Sequence, residues 1–257
     1  MATIISFVSQ KGGVGKTTSA VNLATAFAFG GYSVLLVDLD PQSSVRFSVG
    51  FRGRVERGTR ELFLEPEMPL SDLIQHTEQD DLSFIFSNID SIDSEGEIYR
   101  IAADETILKK RLESVADRYD YIVVDAPSST NSVAVNAIYG SDLTVLPLQC
   151  ESLAIKSLKR FLTSFTELQT RLTGRDLKLA GILLTMYDRK YEIHRRVSQQ
   201  AYRVLSDSVF ETIIPRNEAV TEASASGKSV IAYRLNSVGA TAYIRFMNEL
   251  VDRFDLD

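Results

Sequence analysis

The octet Lys11-Gly12-Gly13-Val14-Gly15-Lys16-Thr17-Thr18 follows an apolar run, TIISFVS, and opens onto a helix-compatible one, SAVNLATAFAF. A strand that ends in a glycine-rich loop and turns directly into a helix aims main-chain N–H groups and the positive end of the helix at one point. Glycines let that main chain crowd around phosphate oxygens, Lys16 adds a mobile cation, and Thr17 offers a hydroxyl to Mg²⁺. The segment therefore reads as the loop that holds a nucleoside triphosphate, with Gly12, Gly13, Val14, Gly15, Lys16, Thr17 and Thr18 as its contacts.

Further apolar runs recur at Val34 to Val37, Tyr121 to Val124, Leu143 to Leu148 and Leu179 to Leu184, separated mostly by amphipathic segments. Continuous apolar strands alternating with helices imply a twisted, mostly parallel β-sheet covered by helices on both faces, with ligands outside the carboxyl ends of the strands. Leu82 to Asn88 and Val209 to Pro215 are expected to add strands. Residues 51–106 are acidic and irregular, and are expected to hold short helices and mobile loops. At 257 residues and 44% hydrophobic content the chain suits one sizeable core, so a single P-loop domain over 1–257 is expected.

Two strand ends deliver aspartates to the region of a triphosphate's Mg²⁺. VLLVDLDPQSS carries Asp38 and Asp40, and YIVVDAPSS carries Asp125, which ends its strand in the manner of a carboxylate holding the Mg²⁺ hydration shell. The expected metal shell is Thr17 and Asp125, with Asp38 and Asp40 brought close to it.

The second lysine of the octet, Lys11, departs from an ordinary P-loop. KGGVGKTT resembles the deviant Walker A box of the ParA/MinD family of P-loop ATPases, and DLDPQSS and IVVDAPSS resemble that family's switch I and switch II. The resemblance extends through LPLQCES, GILLTMYDRK and TIIPRNEAVTEASASGKSVIAY. It implies that Lys11 reaches across a dimer interface to the partner's phosphates, that Asp38 joins Thr17 and Asp125 in supporting the metal shell, that Asp40 orients or activates the attacking water, and that Asp125 is the Walker B residue. Lys11, Lys16, Asp40 and Asp125 are then the catalytic group. Met186, Pro215, Arg216 and Asn217 are candidate nucleotide contacts near the adenine. Switch I reads PQSSVRFSVG instead of the commoner PQGNAT, and Asp125 is followed by Ala126-Pro127-Ser128-Ser129-Thr130-Asn131, without a second proline or a glycine. A carboxylate beside bound triphosphate is a modest base, so hydrolysis should rest on positioning and charge neutralisation, with a slow basal rate.

The formal net charge of −6 conceals an asymmetry: from Lys156 to Arg203 eleven Lys or Arg face four Asp or Glu, leaving −13 for the remainder. That is the footprint of a polyanion-binding face. Lys156, Lys159 and Arg160 lie at i, i+3 and i+4, and YEIHRRVSQQAYRVLSD reads as a helix bearing Arg195, Arg196 and Arg203, with Arg189 and Lys190 just before it. Neither a helix-turn-helix nor an aromatic pattern for single strands is evident, so binding should follow the duplex backbone irrespective of sequence.

Chromosome-organising members of the family bind DNA in this way. The resemblance thus implies an ATP- and Mg²⁺-dependent homodimer on non-specific double-stranded DNA, released when an adaptor protein stimulates hydrolysis, so that a plasmid, chromosome origin or protein assembly is positioned. With the loop starting at Lys11, no DNA-binding extension precedes it, and site-specific operon repression is not expected. Three alternatives share the fold. A membrane-surface ATPase resembling MinD should end in a basic amphipathic helix, whereas this chain ends LVDRFDLD. An ATPase holding a metal cluster needs more than the single cysteine, Cys150. A metabolic ligase would need a small-molecule substrate rather than DNA for turnover. No leader and no apolar stretch approaching about 18 residues is evident, so a cytoplasmic, nucleoid-associated protein with no membrane partner is expected.

Overall fold

The computed structural model describes residues 1–77, 81–172 and 176–256. Strand β1 (Thr3–Phe7) leads into helix α1 (Lys16–Phe29), and β2 (Val34–Asp38) into the short α2 (Ser44–Ser48). The acidic stretch holds α3 (Thr59–Leu64), a 3₁₀ turn at Leu70–Leu73, β3 (Gln75–His76), β4 (Leu82–Ile85) and α4 (Ile92–Ile101), and α5 (Ile107–Glu113) follows it. Then follow β5 (Tyr121–Asp125), α6 (Ser132–Gly140), β6 (Leu143–Gln149), α7 (Ala154–Arg171), β7 (Leu179–Thr185) and α8 (Glu192–Leu205). A 3₁₀ turn at Ser206–Ser208 and helices α9 (Glu218–Ala225), α10 (Val230–Tyr233) and α11 (Val238–Phe254) complete the described elements.

The strands form one sheet in the order β3-β4-β2-β5-β1-β6-β7, parallel throughout except for the β3–β4 pair. Successive strand residues serve opposite faces, as a period of two requires. Ile5, Phe7, Val34, Leu36, Tyr121 and Val123 pack with α1 and α11. Ile4, Leu35, Val37, Ile122 and Val124 pack on the other face with residues of α5, α6 and α7. Because both faces are covered, these strands read as unbroken apolar runs. The chain leaves β1 toward β2 on one side and later fills β6 on the other, so a crevice opens at the carboxyl end of β1, where the glycine loop lies.

Val209–Pro215 does not form the expected strand. It runs beside β7 and touches it through isolated parallel bridges, Ile182 with Val209 and, beyond the strand's end, Tyr187 with Pro215. The reason is a competing acceptor: the N–H groups of Glu211 and Thr212 donate to the Glu249 carboxylate of α11 at 2.6 and 2.8 Å, which pulls the middle of the segment off the ladder.

Candidate functional site

Gly13 and Gly15 adopt φ of +76° and +84°, left-handed conformations that permit the tight reversal between β1 and α1. Gly15 stands at the N-cap of α1 without a side-chain cap, so the first-turn N–H groups, which have no intrahelical acceptor, face the crevice. The loop is anchored from behind: Val14 is buried, and its carbonyl accepts from Thr185 Oγ1 at the end of β7 at 2.8 Å.

Register explains the charges that meet here. Asp125 ends β5 directly opposite Asp38 at the end of β2, and beside Phe7 at the end of β1. Lys16, 5% exposed, sends its ammonium to Asp125 Oδ1 at 3.1 Å and Asp40 Oδ2 at 3.4 Å. Thr17 Oγ1 donates to Asp125 Oδ2 at 2.6 Å. Burial works to lower the pKa of Lys16, but the Asp125 and Asp40 carboxylates together outweigh it and the net direction is upward. Burial raises that of Asp125, with Lys16 and Thr17 opposing. Asp38 is raised further, by complete burial and then by the charge of Asp125. Its two oxygens receive the N–H groups of Asp40 and Val45 at 3.0 and 3.2 Å, so Asp38 stands behind the site and shapes the turn that presents Asp40.

The crevice measures about 700 Å³ and is lined by the glycine loop, Lys16 to Thr18, Asp40 to Gln42, Pro127 to Ser129, Met186 and Ser224. A Cβ placed on Gly12 or Gly13 would meet nothing within 4 Å, which leaves a cradle beside the main chain for phosphate oxygens. The donors around it, Thr17, Asp40 and Asp125, are all oxygens, the set that suits Mg²⁺. A triphosphate with its Mg²⁺ therefore fits the residues present. Such an ion would be held by Thr17 and Asp125 and would neutralise phosphate charge.

Other expected contacts are distributed differently. Lys11 is outside the crevice; its ammonium pairs with Glu151, and its main-chain N–H and carbonyl both bond Ser9 Oγ at 3.2 Å. Met186 lines the crevice with a left-handed φ of +50°. Pro215 and Arg216 sit beside Tyr187, which donates its N–H to the Ile214 carbonyl and accepts from Arg216 N–H at its own carbonyl, and Asn217 occupies the N-cap of α9 with its Oδ1 buried and unpartnered. None of these three lines the crevice. Lys156, Lys159 and Arg160 on α7, Arg189 and Lys190 before α8, and Arg195, Arg196 and Arg203 on it are all exposed, and α7 packs against α8. The expected basic groups thus lie on adjoining helices.

The sequence reading missed Glu95 and Tyr99 of α4, which form a further wall of the crevice. Their i, i+4 spacing was the available signal. It gains meaning only once the sheet brings α4 beside Asp40 and Pro127.

A family model described as an AAA domain matches residues 2–179. The chain is 36% identical over 251 residues to the sporulation initiation inhibitor protein Soj of Bacillus subtilis, covering 97% of this chain and 98% of that one. It is 35% identical over 252 residues to the chromosome partitioning protein ParA of Caulobacter vibrioides, covering 97% and 94%. Among solved structures, cobyrinic acid a,c-diamide synthase from Mycobacterium smegmatis, with bound ATP analogue and magnesium, superposes with a TM-score of 0.83 at 28% identity over 99% of this chain and 96% of that one. The septum site-determining protein MinD of Pyrococcus horikoshii, complexed with Mg-ADP, gives 0.80 at 25% identity over 97% and 96%. With the loop, the two strand-end aspartates and relatives matched over nearly their whole length, the chain belongs to the ParA/MinD family of P-loop ATPases.

Proposed function

We propose that this ATPase is a DNA-tethered positioning switch: ATP and Mg²⁺ close a homodimer, the dimer binds duplex DNA without regard to sequence, and an adaptor protein stimulates hydrolysis and release. The observation that carries the reading is the division of labour between two lysines of one loop. Lys16 lies inside its own crevice, held by Asp125 and Asp40, while Lys11 projects away from it with a partly exposed side chain. A cation so placed is suited to the phosphates of a second copy.

Within each subunit, the glycine loop and Lys16 bind the phosphates, and Thr17 and Asp125 hold the Mg²⁺ shell with Asp38 behind them. Asp40, on the turn that Asp38 fixes, orients the attacking water. Met186 borders the nucleotide, and Pro215 to Asn217, beside Tyr187, are the candidate contacts of its adenine. The exposed cations of α7 and α8 follow the DNA backbone, a sequence-independent interaction that weakens steeply with salt. The name of the chromosome partitioning relative supports a cargo-positioning role, which on this reading is exercised on the nucleoid. Among the described residues, no helix is long and apolar enough to cross a membrane.

The test is fluorescence anisotropy with unrelated duplexes, without nucleotide, with ADP–Mg²⁺ and with ATP–Mg²⁺, at two salt concentrations. Salt-sensitive binding confined to ATP and indifferent to sequence is the expected result. Absence of binding in every state would remove the DNA role and direct attention to lipid vesicles or to a metabolite that drives turnover.

A further inference from the structure

The wall of the crevice contributed by α4 has no assigned role. Ile98, one residue before Tyr99, is fully buried in the core and fixes the helix rotation. Glu95 and Tyr99 then lie one turn apart on the face toward the loop and line the same space as Lys16, Asp40 and Pro127 to Ser129. The Tyr99 hydroxyl donates to Glu95 Oε1.

The placement of this wall is firm. Ser91 caps α4 by accepting from Ser94 N–H at 3.2 Å. At the other end, Ser132 Oγ donates to the Tyr99 carbonyl at 2.6 Å, and the buried Asn136 donates to the carbonyls of Ala102 and Asp104 at 2.7 and 3.2 Å. Both donors belong to α6, the helix that follows the Pro127–Asn131 turn. The carboxyl end of α4 and the segment after Asp125 are thus clamped together. Burial, then the bond to Glu95 and its charge, push the Tyr99 phenol up to about 12; Asn131 opposes this, and Asp40 adds to it.

A carboxylate is an odd neighbour for a polyphosphate. Glu95 repels an added negative charge in this confined space, whereas the phenolic O–H is a neutral donor that favours one. We infer that Tyr99 is a contact of the terminal phosphate: its hydroxyl donates to Glu95 when that phosphate is absent and transfers the bond to a terminal-phosphate oxygen when ATP is bound. The pair then reads triphosphate against diphosphate, and the Ser132 tie conveys that reading to the turn after Asp125. The inference rests on the assignment of the crevice to ATP.

The experiment measures the affinities of the full chain for ADP and for a non-hydrolysable ATP analogue, each with Mg²⁺, by calorimetry. In Tyr99→Phe, affinity for the analogue falls about tenfold, the scale of one hydrogen bond to a charged group, with ADP affinity unchanged. In Glu95→Gln, the preference for the analogue over ADP rises, because the competing charge is gone. Tyr99→Phe keeps the ring and the main-chain carbonyl held by Ser132, so a folding defect would weaken both nucleotides alike. Equal losses for the two nucleotides, or no loss, would overturn the inference. Failure of the unaltered chain to bind either nucleotide would instead overturn the crevice assignment, and the inference with it.

Discussion

The Lys11 ammonium and the Glu151 carboxylate pair across 140 residues of sequence, joining the first residue of the glycine loop to the turn after β6. Both side chains are partly exposed, at 42% and 33%. If Lys11 serves the partner's phosphates, this pair must break in each subunit as the dimer closes. Exposed pairs contribute about 0.5 kcal/mol each, so Glu151→Gln should raise the ATP-dependent dimerisation constant about fivefold for two pairs. Lys11→Ala should lose dimerisation while keeping nucleotide binding. Sedimentation velocity with ATP–Mg²⁺ reads both, and a weaker dimer in Glu151→Gln would show that Glu151 orients Lys11 productively instead of restraining it.

Lys16 has a structural role besides its expected ligand role. Its ammonium is the buried counter-ion for Asp125 and Asp40. Removing one partner of a buried pair leaves an uncompensated charge and typically costs about 3 kcal/mol. Lys16→Ala should therefore abolish binding of a fluorescent ATP analogue and also lower the urea midpoint of the nucleotide-free chain. An unchanged midpoint would mean that the carboxylates find another route to neutralisation.

The parts of this arrangement that were legible in the sequence are those fixed locally. The glycine loop announces itself by residue type, and β1, β2, β5, β6 and β7 do so because burial on both faces leaves apolar runs. Asp125 and Asp38 could be placed at strand ends for the same reason. What escaped depends on distant partners. β3 has only two residues and pairs antiparallel with β4, too little for a periodic signal. Val209–Pro215 has strand-like composition, but Glu249 captures its N–H groups from 38 and 37 residues away. Glu95 and Tyr99 look like ordinary residues of an acidic helix until the sheet order sets them opposite Lys16.

Asp40 reaches the crevice from a turn held by Asp38, and Gln42 N–H donates to its Oδ1 at 3.0 Å. A side chain so constrained is suited to positioning water. Asp40→Ala should reduce ATP turnover about a hundredfold or more while leaving Lys16 its Asp125 partner and hence the nucleotide in place. An ATP-bound dimer that persists on a sizing column is the expected product. Turnover at the unaltered rate would remove Asp40 from the water-positioning role.

Glu61 ties α3 to the back of the site, where Thr59 Oγ1 donates to the Asp38 carbonyl. Its carboxylate receives Gly58 N–H at 2.8 Å, Asn88 Nδ2 at 2.7 Å and Arg60 Nη1 at 3.1 Å. Burial would raise its pKa, but these donors prevail and hold it below the ordinary 4.5. A depressed carboxylate contributes stability that is present above its unfolded value and lost as pH falls through the folded one. Glu61→Gln should thus lower unfolding free energy by about 1 kcal/mol at pH 7. The difference from the parent should shrink as pH drops below 4.5. Urea melts across that range supply the measurement, and a difference that does not change with pH would mean Glu61 acts through shape alone.

If duplex DNA is the ligand proposed for α8, its exposed cations should separate DNA binding from the nucleotide cycle. Val197, Ser198 and Ala201 form the buried side of the helix, which leaves Arg196 and Arg203 in solvent, seven residues and nearly two turns apart. Replacing both with Glu should weaken duplex binding in the ATP state and reduce the slope of log affinity against log salt by about one unit for each phosphate that the arginines had neutralised. ATP-dependent dimerisation should be unaffected, because neither side chain lines the crevice. The salt series discriminates between outcomes that a single affinity would confuse. A uniform loss with an unchanged slope would mean that the arginines support the fold of α8, and binding to the phosphates would then have to lie with the other cations, Lys156, Lys159 and Arg160 on α7 and Arg189, Lys190 and Arg195.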